Sequence, residues 1–173
     1  MSDANAPGLL TDEIRAMVGT EVTYTAPEPL GAAAIRYFAL AVGDANPLYT
    51  DAAYARAHGH PDVIAPPTLI TETNQGVTLP RDEAGFIGHR WPVEVPGARQ
   101  VRGGNHYVFH RPVLAGDVIT ATWRLSDATE RTTRAGAAML VLTSTATYTN
   151  QSGDLLATNE ETIIHVSLGK DAA

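Results

Sequence analysis

The run Gly43-Asp44-Ala45-Asn46-Pro47-Leu48-Tyr49 holds the residues best suited to chemistry. A carboxylate fixed beside buried surface is a candidate acid or base, because desolvation favours its protonated form. Asp44 follows a long apolar stretch. The amide of Asn46, two residues on, can orient that carboxylate or a water. Gly-Asp-x-Asn-Pro is also ordinary helix-ending turn chemistry, in which Asp and Asn bond nearby backbone. Spacing alone leaves both readings open.

A second group is cationic. Arg99, Arg102, His106, His110 and Arg111 make 99–111 the one basic stretch of an acidic chain. Phosphates of an anionic ligand would be attracted there. A charged edge strand that resists aggregation reads the same way. On one strand His106 and His110 would share a face roughly 13 Å apart, too far to chelate one ion. Either could act as a base, or simply pack. His58 and His60 come within about 7 Å in an extended segment, with Asp62 available as a third ligand. No further ligand set is present, so neither a metal nor a cofactor is expected. The sequence has no cysteine, which excludes disulfides, thiolate-bound metals and a thiol nucleophile.

These residues need a frame. Thr11 is a good helix N-cap, with Asp12 and Glu13 in the first turn where the dipole favours anions. A short strand over 21–25 follows. Leu30, Ala34, Tyr37 and Ala41 recur at helical spacing, and Ile35, Phe38 and Val42 widen the apolar face. A largely buried helix is therefore expected, stopped by Gly43. A short helix is expected over 51–57. Pro66-Pro67 opens another, running to about residue 77, because proline suits a first helical turn. Glu72 lies on it, among Thr68, Thr71, Thr73 and Asn74. Residues 80–98 are rich in Pro and Gly and read as a long loop.

Beyond the loop the period changes to two. Strands are expected over 101–113, 118–125, 137–148 and 155–166, with turns at 130–136 and 150–153. Gly103-Gly104 marks a bulge or a close backbone approach. Trp91 and Trp123 read as packing residues. Helices first and a strand meander after them give an α+β fold with an antiparallel sheet.

The chain has 173 residues, enough for one domain over 11–168 with an N-terminal arm, 1–10, and a C-terminal tail, 169–173. Twelve Lys and Arg against nineteen Asp and Glu give a net charge of −7, which disfavours nucleic acid as a partner. The first ten residues carry no Lys or Arg, and the apolar run 32–42 is broken by Arg36. Neither a secretory signal nor a span of ~20 apolar residues is found, so a cytoplasmic protein without membrane contact is expected. Asn150-Gln151-Ser152 is then a turn rather than a glycosylation site.

The segment from Tyr37 to Tyr49 resembles the signature of the MaoC-like, (R)-specific enoyl-thioester hydratases and dehydratases. Their pattern is an aromatic residue, Gly-Asp-x-Asn-Pro, an aliphatic residue and a histidine. The run Phe109-His110-Arg111-Pro112-Val113-Leu114-Ala115-Gly116-Asp117 resembles a second stretch of that family. The likeness covers about residues 20–166. It lies nearest the branch called FAS1-like dehydratase or MaoC N-terminal domain, which includes accessory subunits of heterodimeric dehydratases. The fold it implies is the hotdog, an antiparallel sheet wrapped around a long central helix, here beginning near Pro66.

The implied reaction is reversible addition of water to a 2-enoyl thioester of coenzyme A or an acyl carrier protein. Asp44 would be the polar group nearest the reaction and Asn46 its orienter. Two positions depart from the pattern. The family histidine falls on Tyr49, a much weaker base near pH 7. The glycine whose N–H binds the thioester oxygen falls on Pro67, which has no N–H, and the amide of Thr68 could substitute only with a shifted geometry. Three readings follow. The chain is a non-catalytic subunit paired with a catalytic hotdog, a self-sufficient homodimeric hydro-lyase, or else a thioesterase in which Glu72 activates water or a pure acyl-binding module.

Overall fold

The computed structural model describes residues 8–71, 78–81, 83, 85 and 87–168. Thr11 caps α1 (Asp12–Met17), its side chain accepting from the Ile14 N–H at 3.3 Å. Strand β1 (Glu21–Thr25) follows, then α2 (Ala32–Val42), a 3₁₀ turn at Pro47–Tyr49 and α3 (Ala52–Ala57). A second 3₁₀ turn spans Pro67–Ile70. The remaining strands are β2 (Ala98–Phe109), β3 (Thr120–Thr132), β4 (Ala138–Thr149) and β5 (Leu155–Ser167). They form one antiparallel sheet in the order β1-β3-β4-β5-β2.

Alternation decides which face of the sheet is covered. In β4, Leu140, Leu142, Ser144, Ala146 and Tyr148 all point to the covered side. Trp123 and Leu125 on β3 and Asn159 and His165 on β5 are buried too. Over one end of this face, α2 and the segment 63–70 bring Ile35, Ala39, Val63, Leu69 and Ile70 against Trp123, Ala146 and Tyr148. Over the other end, α1 and the loop before β2 cover Leu125, Leu140 and Leu142. The buried Tyr148 Oη donates to the Thr71 carbonyl at 2.9 Å, pinning the segment after Pro67 to the sheet.

Several boundaries differ from the sequence expectation. Strand β2 begins at Ala98 and stops at Phe109, so 110–113 leave the sheet. Pro112, without an N–H, could not continue a ladder. Strand β3 runs past 125 because an irregularity between Leu125 and Asp127 absorbs one residue and lets pairing continue. Its hairpin turn with β4 shrinks to 133–137. The bulge expected at Gly103-Gly104 is present as a register shift between Arg102 and Gly104. A Cβ on Gly103 would stand 2.9 Å from Thr162 Cγ2, so the close approach is real as well.

Helix α2 is not largely buried. Ile35 and Ala39, one turn apart, face the core, but Tyr37, Leu40 and Val42 are 64%, 67% and 58% exposed. Apolar residues surround this helix, and a single chain covers only one stripe. The helix expected from Pro66 opens as the 3₁₀ turn; its continuation over 72–77, with Glu72, Thr73 and Asn74, lies outside the described residues.

Candidate active site

Gly43 ends α2 in the left-handed conformation, φ 72°, and turns the chain back over the core. The Asp44 N–H bonds the Ala39 carbonyl at 2.9 Å. Asp44 Oδ1 then accepts from the Asn46 N–H at 3.0 Å. Asn46 Oδ1 accepts from the Leu48 N–H at 3.1 Å and so caps the Pro47–Tyr49 turn. Both readings of the run meet here: the two side chains do turn chemistry, and the turn delivers Tyr49 into the core at 8% exposure. Asp44 itself is exposed rather than set against buried surface, which differs from the sequence expectation.

Tyr49 lines a cleft of about 250 Å³ with Ile64, Pro67, Phe109, His110 and Val113. The 109–117 stretch builds the opposite wall. The Ala65 N–H bonds Val113 O at 2.7 Å, and the His110 N–H bonds Leu156 O at 2.8 Å. Asp117 is buried, its Oδ2 accepting from the Leu114 N–H at 2.8 Å. Its backbone carbonyl receives the Leu30 N–H at 3.0 Å, close to the start of α2. This stretch therefore fixes both sides of the cleft to the sheet. Burial pushes the Tyr49 phenol above its usual range, and the nearby Asp44 charge adds to that; a hydrogen bond with Asn46 opposes it.

Tyr49, Pro67 and His110 thus line one cleft, while Asp44 and Asn46 lie in the turn that carries Tyr49 and are not among its lining residues. The amide of Thr68, second in its 3₁₀ turn, has no acceptor among the described residues. Arg111 lines this cleft too, while Arg99, Arg102 and His106 separate from it. Arg99 and His106 stay exposed on β2, where His106 sits opposite Glu160. His106 and His110 do not share a strand face, because the strand has ended before His110. Arg111 pairs with Asp154 at 2.7 Å beside the cleft. Arg102 pairs with Glu161 at 3.5 Å and lines a different cavity. Among the described residues no three His, Asp or Glu are placed to hold a metal. His58 stacks on Tyr54, and Asp62 pairs with Arg56 at 3.4 Å.

That different cavity was not read from the sequence. The loop 87–97 lays His89 between Trp91 and Trp123, with ring centroids 4.5 and 4.8 Å away. His89 Nδ1 lies 3.0 Å from Tyr24 Oη, while Nε2 is buried with no partner among the described residues. Burial pushes the imidazole down to about 4. The Trp91 Nε1–H donates to Ser144 Oγ at 2.8 Å. Pro and Gly marked this loop, but its packing partners come from strands far along the chain.

Residues 16–159 match the family described as FAS1-like, dehydratase domain region. The chain belongs to this family of MaoC-like hotdog dehydratases. It is 43% identical over 108 residues to a UPF0336 protein of Streptomyces coelicolor, covering 62% of this chain and 68% of that one. It is 32% identical over 116 residues to the 3-oxo-4,17-pregnadiene-20-carboxyl-CoA hydratase alpha subunit of Mycobacterium tuberculosis, covering 59% of this chain and 34% of that one. Its structure is similar to the HadBC (3R-hydroxyacyl-ACP dehydratase) complex of M. tuberculosis, with a TM-score of 0.59 and 27% identity over 86% of this chain and 96% of that one. The sheet order described above is thus that of a hotdog. Among the described residues no helix is long and apolar enough to cross a membrane.

Proposed function

We propose that this FAS1-like dehydratase domain is the subunit of a heteromeric hydro-lyase that lacks the catalytic histidine. The complex would add water reversibly to a 2-enoyl thioester of coenzyme A or an acyl carrier protein, giving a 3-hydroxyacyl thioester. The observation that carries the reading is Tyr49, a buried phenol whose proton is held more tightly than usual. With an ordinary pKa near 10, roughly one phenol in a thousand is ionised at pH 7, and here fewer are. Such a group walls a cleft but is a poor base. Pro67 adds a second defect, since a missing oxyanion donor typically costs roughly 10²–10³ in rate; the Thr68 amide offers a displaced one. Asp44 and Asn46 then shape the overhang and present a polar edge to the acyl thioester. Arg99 and His106 remain exposed on β2, within reach of a carrier phosphate.

A partner has surfaces to cover. Strand β2 is an open sheet edge, and α2 presents an apolar stripe. The names borne by two similar proteins, an alpha subunit and a two-letter complex, support a heteromer. The test is hydration of crotonyl-CoA by the purified chain, with its size in solution measured. No turnover alone, and turnover once a hotdog subunit carrying the Asp–His pair is added, is the expected result. Turnover by the chain alone overturns it. One observation favours a second reading, a self-sufficient homodimer: His110 lines the same cleft as Tyr49. In that case hydration by the pure chain would be abolished in both His110→Ala and Asp44→Ala.

A further inference from the structure

The Tyr49 cleft adjoins a second cavity of about 280 Å³, and Arg111 and Pro112 line both. On the basis of the thioester chemistry proposed for this cleft, we infer that the second cavity holds the pantetheine arm of the substrate and the Tyr49 cleft its acyl group. The two ends differ in polarity. Ile64, Ala65, Pro67, Phe109 and Val113 wall the Tyr49 cleft and suit a hydrocarbon chain. The second cavity mixes Pro61, Leu114 and Leu156 with His60, Asn150 and Asp154.

Charge decides what this second cavity excludes. Arg111 is the only Arg or Lys in its wall, and Asp154 already meets it at 2.7 Å. Asp117 brings a second carboxylate, buried and engaged by the Leu114 N–H at 2.8 Å. An anion finds no free cation there and meets two carboxylates, so the ligand is uncharged. The phosphate of the carrier then lies outside this cavity. Hydrogen bonding decides what the cavity admits. The His60 imidazole has no hydrogen-bond partner among the described residues. Asn150 Nδ2 stands 3.4 Å from both Asp117 Oδ1 and Asp154 Oδ2, long for an N–H···O bond, and has donor capacity to spare. Asn150 Oδ1 accepts from the Ser152 and Asp154 N–H groups, both at 3.0 Å, so this wall is pre-formed. A pantetheine arm alternates amides with methylene and methyl groups and carries no charge. It matches the mixture of polar and apolar surface.

The probe is butyryl-pantetheine, which has no double bond to hydrate and no phosphate, read by calorimetry on the full chain. The control is butyryl-N-acetylcysteamine, the same thioester with its arm cut after the first amide. Saturable binding of the long thioester is expected, with the short one about tenfold weaker for want of the distal hydrogen bonds. His60→Ala should weaken the long thioester roughly three- to tenfold and leave the short one unchanged. Pro61→Phe, at an exposed position, fills the cavity and should act in the same selective way. Circular dichroism checks that both variants fold. Equal binding of the two thioesters, or indifference of the long one to both variants, overturns this inference alone. Failure of either thioester to bind overturns it together with the thioester chemistry on which it rests.

Discussion

Replacing His89 with phenylalanine removes one proton site from beneath the loop 87–97 while keeping a flat ring between Trp91 and Trp123. In the folded chain burial lowers this imidazole to about 4 from a usual 6.5. Between those values the unfolded state binds more protons than the native one, so stability is present above about pH 6.5 and falls as pH drops towards 4. For a fully shielded ring the loss at pH 5 is about 2 kcal/mol. His89 is only partly buried, and solvent screening brings the figure to about 1 kcal/mol. With a urea slope of about 2 kcal/mol/M that is a midpoint shift of about 0.5 M. The assay is urea unfolding of wild type and His89→Phe near pH 7.5 and near pH 5, at one protein concentration. The variant also loses the contact with Tyr24, but that offset is present at both pH values. His165, also pushed down by burial, acts alike in both proteins. Wild type should lose about 0.5 M more than the variant on acidification. Equal losses would show that the imidazole is not held neutral by burial, and the reasoning would fail.

Further outcomes follow from the same geometry. Tyr49→His supplies a base near pH 7 inside the cleft and should give the isolated chain detectable crotonyl-CoA hydration where the wild type shows none; a variant as inactive as wild type would mean that the base is not the limiting defect. Tyr148→Phe leaves the buried Thr71 carbonyl without its donor. It should lower unfolding free energy by about 1–3 kcal/mol, measured by denaturant titration. Gly103→Ala drives a methyl to 2.9 Å from Thr162 Cγ2. A loss of about 1–3 kcal/mol is expected from such overpacking, read as a lower thermal midpoint.

Most of the frame was legible because its signals are local. Thr11 before Asp12 and Glu13 capped a helix, as expected. Gly43 stopped α2, and Gly103-Gly104 marked the bulge in β2. Each needs only a few neighbouring residues. The burial of α2 was misread because periodicity shows that a helix is apolar, not how much of it one chain covers. The end of β2 was misread because alternation continues past Phe109 although Pro112 stops the ladder.

The candidate site divides in the same way. The sequence by itself determined Asp44, Asn46 and Tyr49 as one unit, since their spacing and backbone bonds lie within seven residues. The resemblance it carries implies that Tyr49 and Pro67 stand where a histidine and a glycine are expected. Only the tertiary structure decided that His110 joins Tyr49 and Pro67 while Arg102 does not. Strand register places Arg102 with Glu161, and the segment after β2 carries His110 back to Leu156. Register and long-range closure depend on the whole sheet at once, so no window of the sequence contains them.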